Sequence, residues 1–419
     1  MFEWLFKRKD SIQRQLHAPL LEERLRYLQY WYDNGATFKT LRRYSNYLIV
    51  IVKVLQLETH DLITFSDITK ATKKLDSLSN HHHNQHKSGL SKNSRNLKTI
   101  AIQWLDMLGR LQYPDKKESV SSKLIDEYVA YMRYEKGLSE ESIYLYERIL
   151  TDFFKNIGEN YSLSRLNILK IDKILNDKHR INEYGRWSIR SYASAIRLFL
   201  TYAEGRRLCQ VGLAKSIKTP RMYKDEGLPR GPSWEDVQKL LESVEGDDPI
   251  CVRDRAILML LAIYGFRCGE VIKLRLDDLD WENEILHVNR SKNAKPQQFP
   301  LLYTVGNAII RYLKEVRPSN CSHREIFISL NAPYRPLSTA AVFQIVSPRL
   351  KVINTSLKHY GPHSLRHACA TYLINQGITL KEISNQLGHR NLDSTSIYAK
   401  VDLVNLRKVT DDLEIGDLI

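Results

Sequence analysis

The stretch KSIKTPRMYKDEGLPRGPS, residues 215–233, separates two parts of the chain whose periodicity differs. It is rich in Lys, Arg, Gly and Pro and carries little apolar pattern, so it reads as an extended basic linker, assigned to 212–232. Before it, apolar residues recur at helical spacing and strand candidates are few. After it, helical patterns alternate with short β-like runs. The 419 residues suffice for roughly two to four domains and at least one sizeable core.

The helical half repeats itself. YWYDNGATFKTLRRYSNYL (30–48) aligns with MRYEKGLSEESIYLYERIL (132–150) at a constant offset. Tyr32 pairs with Tyr134, Gly35 with Gly137, Thr37 with Ser139 and Thr40 with Ser142. Leu41, Tyr44 and Leu48 pair with Ile143, Tyr146 and Leu150. Each copy reads as a helix, a Gly-containing turn, an N-cap Ser or Thr, and a second amphipathic helix. AIQWLDML (101–108) and IRLFLTYA (196–203) resemble each other as closing apolar helices. The expectation is a helical domain over 119–211 and a divergent duplicate over 1–112.

Beyond the linker, Ser233 is placed to N-cap a helix, with Glu235 and Asp236 in its first turn. VRDRAILMLLAIYGF (252–266) is apolar enough for a buried helix. EILHV (284–288) and QQFPL (297–301) flank NRSKNAKP, a pattern that predicts a β-hairpin with a basic tip. IFISL (326–330) predicts one further short strand, and helices are expected from there on.

The formal net charge of +15 points to a polyanionic partner, nucleic acid above all. By charge alone a membrane surface would fit too, but no run of 18 apolar residues exists, and YLIVIVKVLQL (47–57) is broken by Lys53. MFEWLFKRKD lacks the long apolar core and cleavage site of a signal peptide. Five scattered cysteines without a CxxC pair read as reduced thiols, and a cytoplasmic location without membrane attachment is expected. HHHNQH (81–86) sits in a polar Ser/Asn/Lys-rich stretch, where a solvated loop is expected ahead of a metal site.

GPHSLRHACATYL (361–373) concentrates His363, Arg366 and His367. His363 and Arg366 are three apart, so on a helix starting at Pro362 their side chains share a face. A guanidinium fork matches phosphate oxygens and a neutral imidazole can take a proton, which together suggest a phosphate site with an acid or base nearby. Further candidates follow: Arg267, with Glu270 three residues later, in YGFRCGEVIKL; Lys292 in SKNAK; His389 and Tyr398 in NQLGHRNLDSTSIYAK.

This ordered set, Arg267, Lys292, His363, Arg366, His389 and Tyr398, resembles the catalytic domain of the tyrosine recombinase (phage integrase) family over roughly 233–400. Residues 119–211 resemble the family's helical core-binding domain. The resemblance implies a multidomain, mainly α protein: helical SAM-like core-binding domain or domains, then an α+β catalytic domain with a small antiparallel sheet. It also implies site-specific recombination through a 3′-phosphotyrosine, without ATP, metal or cofactor. Tyr398 would be the nucleophile and His363 the base. Lys292 would protonate the leaving oxygen, with Lys295 as its rival. Arg267, Arg366 and His389 would bind the phosphate, and Glu270 would orient Arg267.

The family's hairpin usually carries an Arg where this chain has Gln297. Implied partners are double-stranded DNA with specific core sites, further copies in a synaptic tetramer, and accessory recombinases or DNA-bending proteins. The apolar stripe in the tail 401–419 is expected to dock on a neighbouring protomer. A type IB topoisomerase and a non-catalytic DNA-binding accessory subunit are the alternative readings.

Overall fold

The computed structural model describes residues 1–58, 62–79, 91–113, 119–220, 231–290, 296–319 and 321–388. The chain divides into two compact units, one formed by Met1–Tyr113 with Gly227–Ile419 and the other by Pro114–Glu226.

The N-terminal part of the first unit runs α1 (Phe2–Leu5), α2 (Lys9–His17), α3 (Leu21–Asp33), α4 (Phe38–Leu55), α5 (Phe65–Ser79) and α6 (Lys92–Met107). Two two-residue strands, β1 (Ile63–Thr64) and β2 (Leu111–Gln112), pair in parallel. Tyr27, Leu48, Val52, Trp104 and Leu105 lie in its core. Between α3 and α4 the chain turns at Gly35 with φ at 83°, a left-handed conformation that a Cβ disfavours. Thr37 then caps α4 by accepting from the Thr40 backbone N–H at 3.3 Å.

The second unit contains α7 (Val120–Tyr134), α8 (Glu140–Ile157), α9 (Ile168–Arg180), α10 (Arg186–Gly205) and α11 (Leu213–Ser216). Gly137 makes the α7–α8 turn with φ at 59°, and the Ser139 and Ser142 hydroxyls meet at 3.1 Å just as those of Thr37 and Thr40 do. The packing order repeats too: α7 on α8, α8 on α10 and α9 on α10 match α3 on α4, α4 on α6 and α5 on α6. Phe199 sits at 0 % exposure with its ring edge-on to Tyr128 and Phe154. The apolar chain beyond 211 stays with this core: Leu213, Ala214 and Ile217 are buried in it.

The C-terminal part of the first unit is built around one helix. Ser233 and Asp236 form the capping box of α12 (Trp234–Glu242). In α13 (Pro249–Ile263) Ala256, Ile257, Leu258, Leu260, Leu261 and Ala262 all have 0 % exposure, so the helix is covered on every side. Its cover comes from α14 (Cys268–Lys273), α15 (Tyr303–Arg311) with the π-helical turn Tyr312–Val316, α16 (Thr339–Ile353) and α17 (Pro362–Asn375). α18 (Leu380–Leu387) packs on α17. Strands β3 (Leu279–Asp280), β4 (Ile285–Val288) and β5 (Gln297–Pro300) form an antiparallel sheet in that order, with Leu286 opposite Phe299 and Val288 opposite Gln297.

The expected strand at 326–330 does not form. Glu325 bridges Arg275 on one side and Ile328 bridges Pro336 on the other, each as an isolated pair. Ile326, Phe327 and Ile328 are fully buried, so the apolar run reflects burial. Pairing alternates between two neighbours, and Pro336 has no N–H with which to extend a ladder.

Phe199→Ala is expected to destabilise the Pro114–Glu226 unit by about 3–5 kcal/mol through lost burial and the cavity left behind. A urea titration of the intact chain, followed by limited proteolysis of this unit, should show its transition at distinctly lower denaturant.

Candidate active site

The turn after α13 carries Arg267 out as the N-cap of α14. Glu270, one helical turn on and only 3 % exposed, reaches back to it. Glu270 Oε1 accepts from Arg267 Nη1 at 2.8 Å, and Oε2 accepts from the Arg267 backbone N–H at 2.8 Å. The guanidinium is thereby fixed in direction, while its side chain stays 38 % exposed. Its Nη2 donates to the Gly388 carbonyl at 3.3 Å.

Pro362 starts α17 at the first helical position, where its missing N–H matters least. His363 and Arg366 follow on one face. Arg366 is 1 % exposed and donates from Nη1 to the Gly265 carbonyl at 2.7 Å and from Nη2 to that of Leu387. Gly265 precedes Arg267 by two residues, so Arg366 ties the first arginine's turn to α17 and α18. Phe266, Arg267, Cys268, Thr339, Phe343 and His363 line a cavity of about 550 Å³. One opening thus brings together the predicted phosphate ligand Arg267 and the predicted base His363.

The outer edge of His363 is open to water. Even so, partial withdrawal from solvent, then the charges of Arg366 and Arg267, hold its imidazole below the ordinary value. A neutral imidazole at neutral pH can accept a proton. His367, its ring centroid 4.6 Å from that of His363, is pushed down to about 4, chiefly by burial and then by His363 and Arg366. Burial pushes the Cys268 thiol beside the cavity up to about 11, which leaves it a poor nucleophile.

Arg290, in the basic tip of the expected hairpin, has partners that the sequence pattern does not reveal. Arg290 is 7 % exposed, and its Nη1 donates to Glu270 Oε2 at 3.0 Å. It also donates to the carbonyls of Leu387 at 3.0 Å and Gln386 at 2.5 Å, and its Nε donates to Gln297 Oε1 at 2.7 Å. The close approach requires Gly388: a Cβ there would lie 2.8 Å from Arg290 Nε. A sequence signal existed. Leu286 and Val288 point inward on β4, and position 290 continues their alternation.

Of the sequence-predicted residues, Arg267, Glu270, His363 and Arg366 converge. Lys292, Lys295, His389 and Tyr398 lie outside the described residues, as do HHHNQH and the tail 401–419. Among the described residues no three His, Cys, Asp or Glu side chains gather as metal ligands, and no helix is long and apolar enough to cross a membrane.

Residues 233–403 match the phage integrase family, and residues 125–207 match the phage integrase N-terminal SAM-like domain. A Sinorhizobium fredii protein named as an integrase/recombinase, y4rA, is 32 % identical over 296 residues, which span 70 % of this chain and 71 % of that protein. The chain belongs to the phage integrase family. It is a tyrosine recombinase of the site-specific kind. Tyrosine recombinase XerD of Listeria innocua is 29 % identical over 290 residues, covering 68 % of this chain and 96 % of XerD. A crystal structure of the XerH site-specific recombinase, bound to a palindromic difH substrate in a post-cleavage complex, shares the fold. Its TM-score is 0.53 at 18 % identity, over 87 % of this chain and 95 % of that one.

The depressed histidines set an acid limit on the recombinase's stability. His367 binds its proton near pH 4 when folded but near 6.5 when unfolded, so the unfolded chain takes up protons first. Stability should therefore fall as pH drops from about 6.5 to about 4, with no further loss from this group below that. Urea midpoints measured across this window should fall less steeply in His367→Gln than in the unaltered protein.

Proposed function

We propose that this recombinase cuts and rejoins DNA strands through Tyr398, at specific core sites in duplex DNA, as a synaptic tetramer. The observation that carries this reading is the convergence of Arg267, His363 and Arg366 on one side of the catalytic core. The Tyr398 oxygen attacks the phosphorus, its proton passes to His363, and a 3′-phosphotyrosine forms as the bond to the 5′-oxygen breaks. Lys292 gives that oxygen a proton. Reversal by a different 5′-hydroxyl completes exchange, so the bond energy stays stored and ATP is not needed. Arg267, Arg366 and His389 face the charge gathering on the non-bridging oxygens, which is the role of an oxyanion hole. Arg366 is 1 % exposed, so phosphate entry must bring its guanidinium into the opening.

The partners follow the same reading. The XerH neighbour is bound to its DNA substrate, and another neighbour is a lambda integrase tetramer on a Holliday junction, with a TM-score of 0.52. For this chain, residues 119–211 would grip the core site, 1–112 would add DNA contacts or bind accessory proteins, and the tail 401–419 would dock on the next protomer. The net charge of +15 suits work at DNA in the cytoplasm. The named relatives are recombinases, and no observation favours DNA relaxation or a purely accessory role.

Tyr398→Phe should abolish covalent attachment to a suicide DNA substrate and leave duplex affinity nearly unchanged, because one hydroxyl is lost and no cation. A covalent adduct surviving in this variant, seen on a denaturing gel, would falsify the choice of nucleophile.

The acid can be assigned separately. With sulfur replacing the 5′-bridging oxygen, the leaving group departs without protonation. Lys292→Ala should cleave ordinary DNA slowly and recover most of its rate on this substrate. Recovery by Lys295→Ala instead would move the role to Lys295.

A further inference from the structure

The proposed phosphate ligand Arg267 does not face its carboxylate alone. Glu270 is shared by two guanidiniums: Oε1 takes Arg267 Nη1 at 2.8 Å, and Oε2 takes Arg290 Nη1 at 3.0 Å. Two positive groups and one negative group leave this cluster at net +1. Were Glu270 paired with Arg267 only, the pair would be neutral, and the field it presents to a phosphate would be correspondingly weaker. Arg290 itself is not placed to touch DNA. It is 7 % exposed, with the Phe299 and Phe266 rings 5.3 and 5.7 Å from its guanidinium carbon.

The surroundings of Arg290 are arranged to hold it. Gln297 accepts its Nε–H and donates from its own Nε2 to the Asn385 carbonyl at 3.0 Å. An arginine at 297 could not accept that bond and would set a third guanidinium against the second. The carbonyls of Gln386 and Leu387, at the negative end of α18, take the other two bonds. None of this network is a phosphate contact, yet it fixes the carboxylate that fixes Arg267.

We propose that Arg290 is a positioning residue for strand cleavage: by sharing Glu270 it keeps Arg267 oriented and its charge available to the scissile phosphate. The inference rests on the reading of Arg267 as a phosphate ligand. Its signature is selective. A variant at 290 is slow where the phosphate is fully charged and nearly normal where it is not.

The experiment compares single-turnover cleavage by the full-length protein on two suicide duplexes, one with the ordinary phosphodiester and one with a neutral methylphosphonate at the cut position. Arg290→Met should slow phosphodiester cleavage by about 10- to 100-fold, as the loss of an outer-shell partner does at metal sites. On the methylphosphonate most of that deficit should vanish, and DNA affinity and its salt dependence should not change. Arg290→Lys, which keeps the charge but not the fork, should fall between the two proteins. If Arg290→Met does not fold by circular dichroism, Arg290→Lys and Gln297→Leu carry the same comparison. An equal deficit on both duplexes, or a loss of DNA affinity that accounts for the slowing, overturns the proposal. Arg267→Ala on the same pair separates the two readings. If its deficit shrinks on the methylphosphonate while that of the 290 variants does not, only the positioning role fails. If its own deficit does not shrink, Arg267 is not the phosphate ligand and both readings fall.

Discussion

The C-terminal end of α18 is the point on which the catalytic part depends. The last carbonyls of any helix lack partners within it, and their dipoles leave negative charge there. Here those carbonyls are met by side chains from three distant stretches. Gln297 donates to Asn385, Arg290 to Gln386 and Leu387, Arg366 to Leu387, and Arg267 to Gly388. The sheet, the turn after α13 and the start of α17 are therefore held to one short helix end. A hydrogen bond from a charged group contributes about 1.5–3 kcal/mol, so several on one turn make the arrangement rigid without a large apolar contact.

That arrangement also decides what the charges can do. Burying guanidiniums is costly unless each is bonded, and the carbonyls and Glu270 supply those bonds. Burial first, and then the nearby arginine charges, lower the imidazoles of His363 and His367. The result is an oriented Arg267 beside the His363 imidazole, with Arg366 buried behind them; on the proposed reading the Arg267 charge is in place before a phosphate arrives. Such preorganisation avoids reorganising dipoles as charge develops, which is where electrostatic catalysis gains most.

Much of this was legible in the sequence, for identifiable reasons. Arg267 and Glu270, or His363 and Arg366, are close in sequence, and a spacing of three puts them on one helix face whatever the rest of the chain does. The buried α13 declared itself by a continuous apolar run, and Ser233 by its capping pattern. Arg290 was hidden because its partners, Glu270, Gln297, Gln386 and Leu387, are brought to it by tertiary packing. Beside Lys292 it reads as one more cation of the basic hairpin tip. Gln297 stands where the family's hairpin usually carries an Arg, and its amide bridges Arg290 and Asn385, a role that sequence spacing does not reveal. IFISL misled in the opposite way, since full burial alone imitates a strand.

The two helical modules show which of their shared features are constrained. Both keep the Gly turn, the hydroxyl pair at the head of the second helix and the packing order, because these set where one helix leaves another. Among the described residues, their buried charges are satisfied differently. In the first, the buried Arg24 is satisfied by the carbonyls of Gln15, Ala18 and Pro19 at 2.6–2.9 Å. In the second, Asp152 receives both Lys178 and the Tyr192 hydroxyl at 2.7 Å. A buried charge needs bonding partners, but any local partner will serve, so each module could solve that problem separately. The turn had no such freedom, because the direction of the next helix depends on it. This is why the repeat was readable at the turn, and why the shared fold implies nothing about shared contacts on the two modules' surfaces.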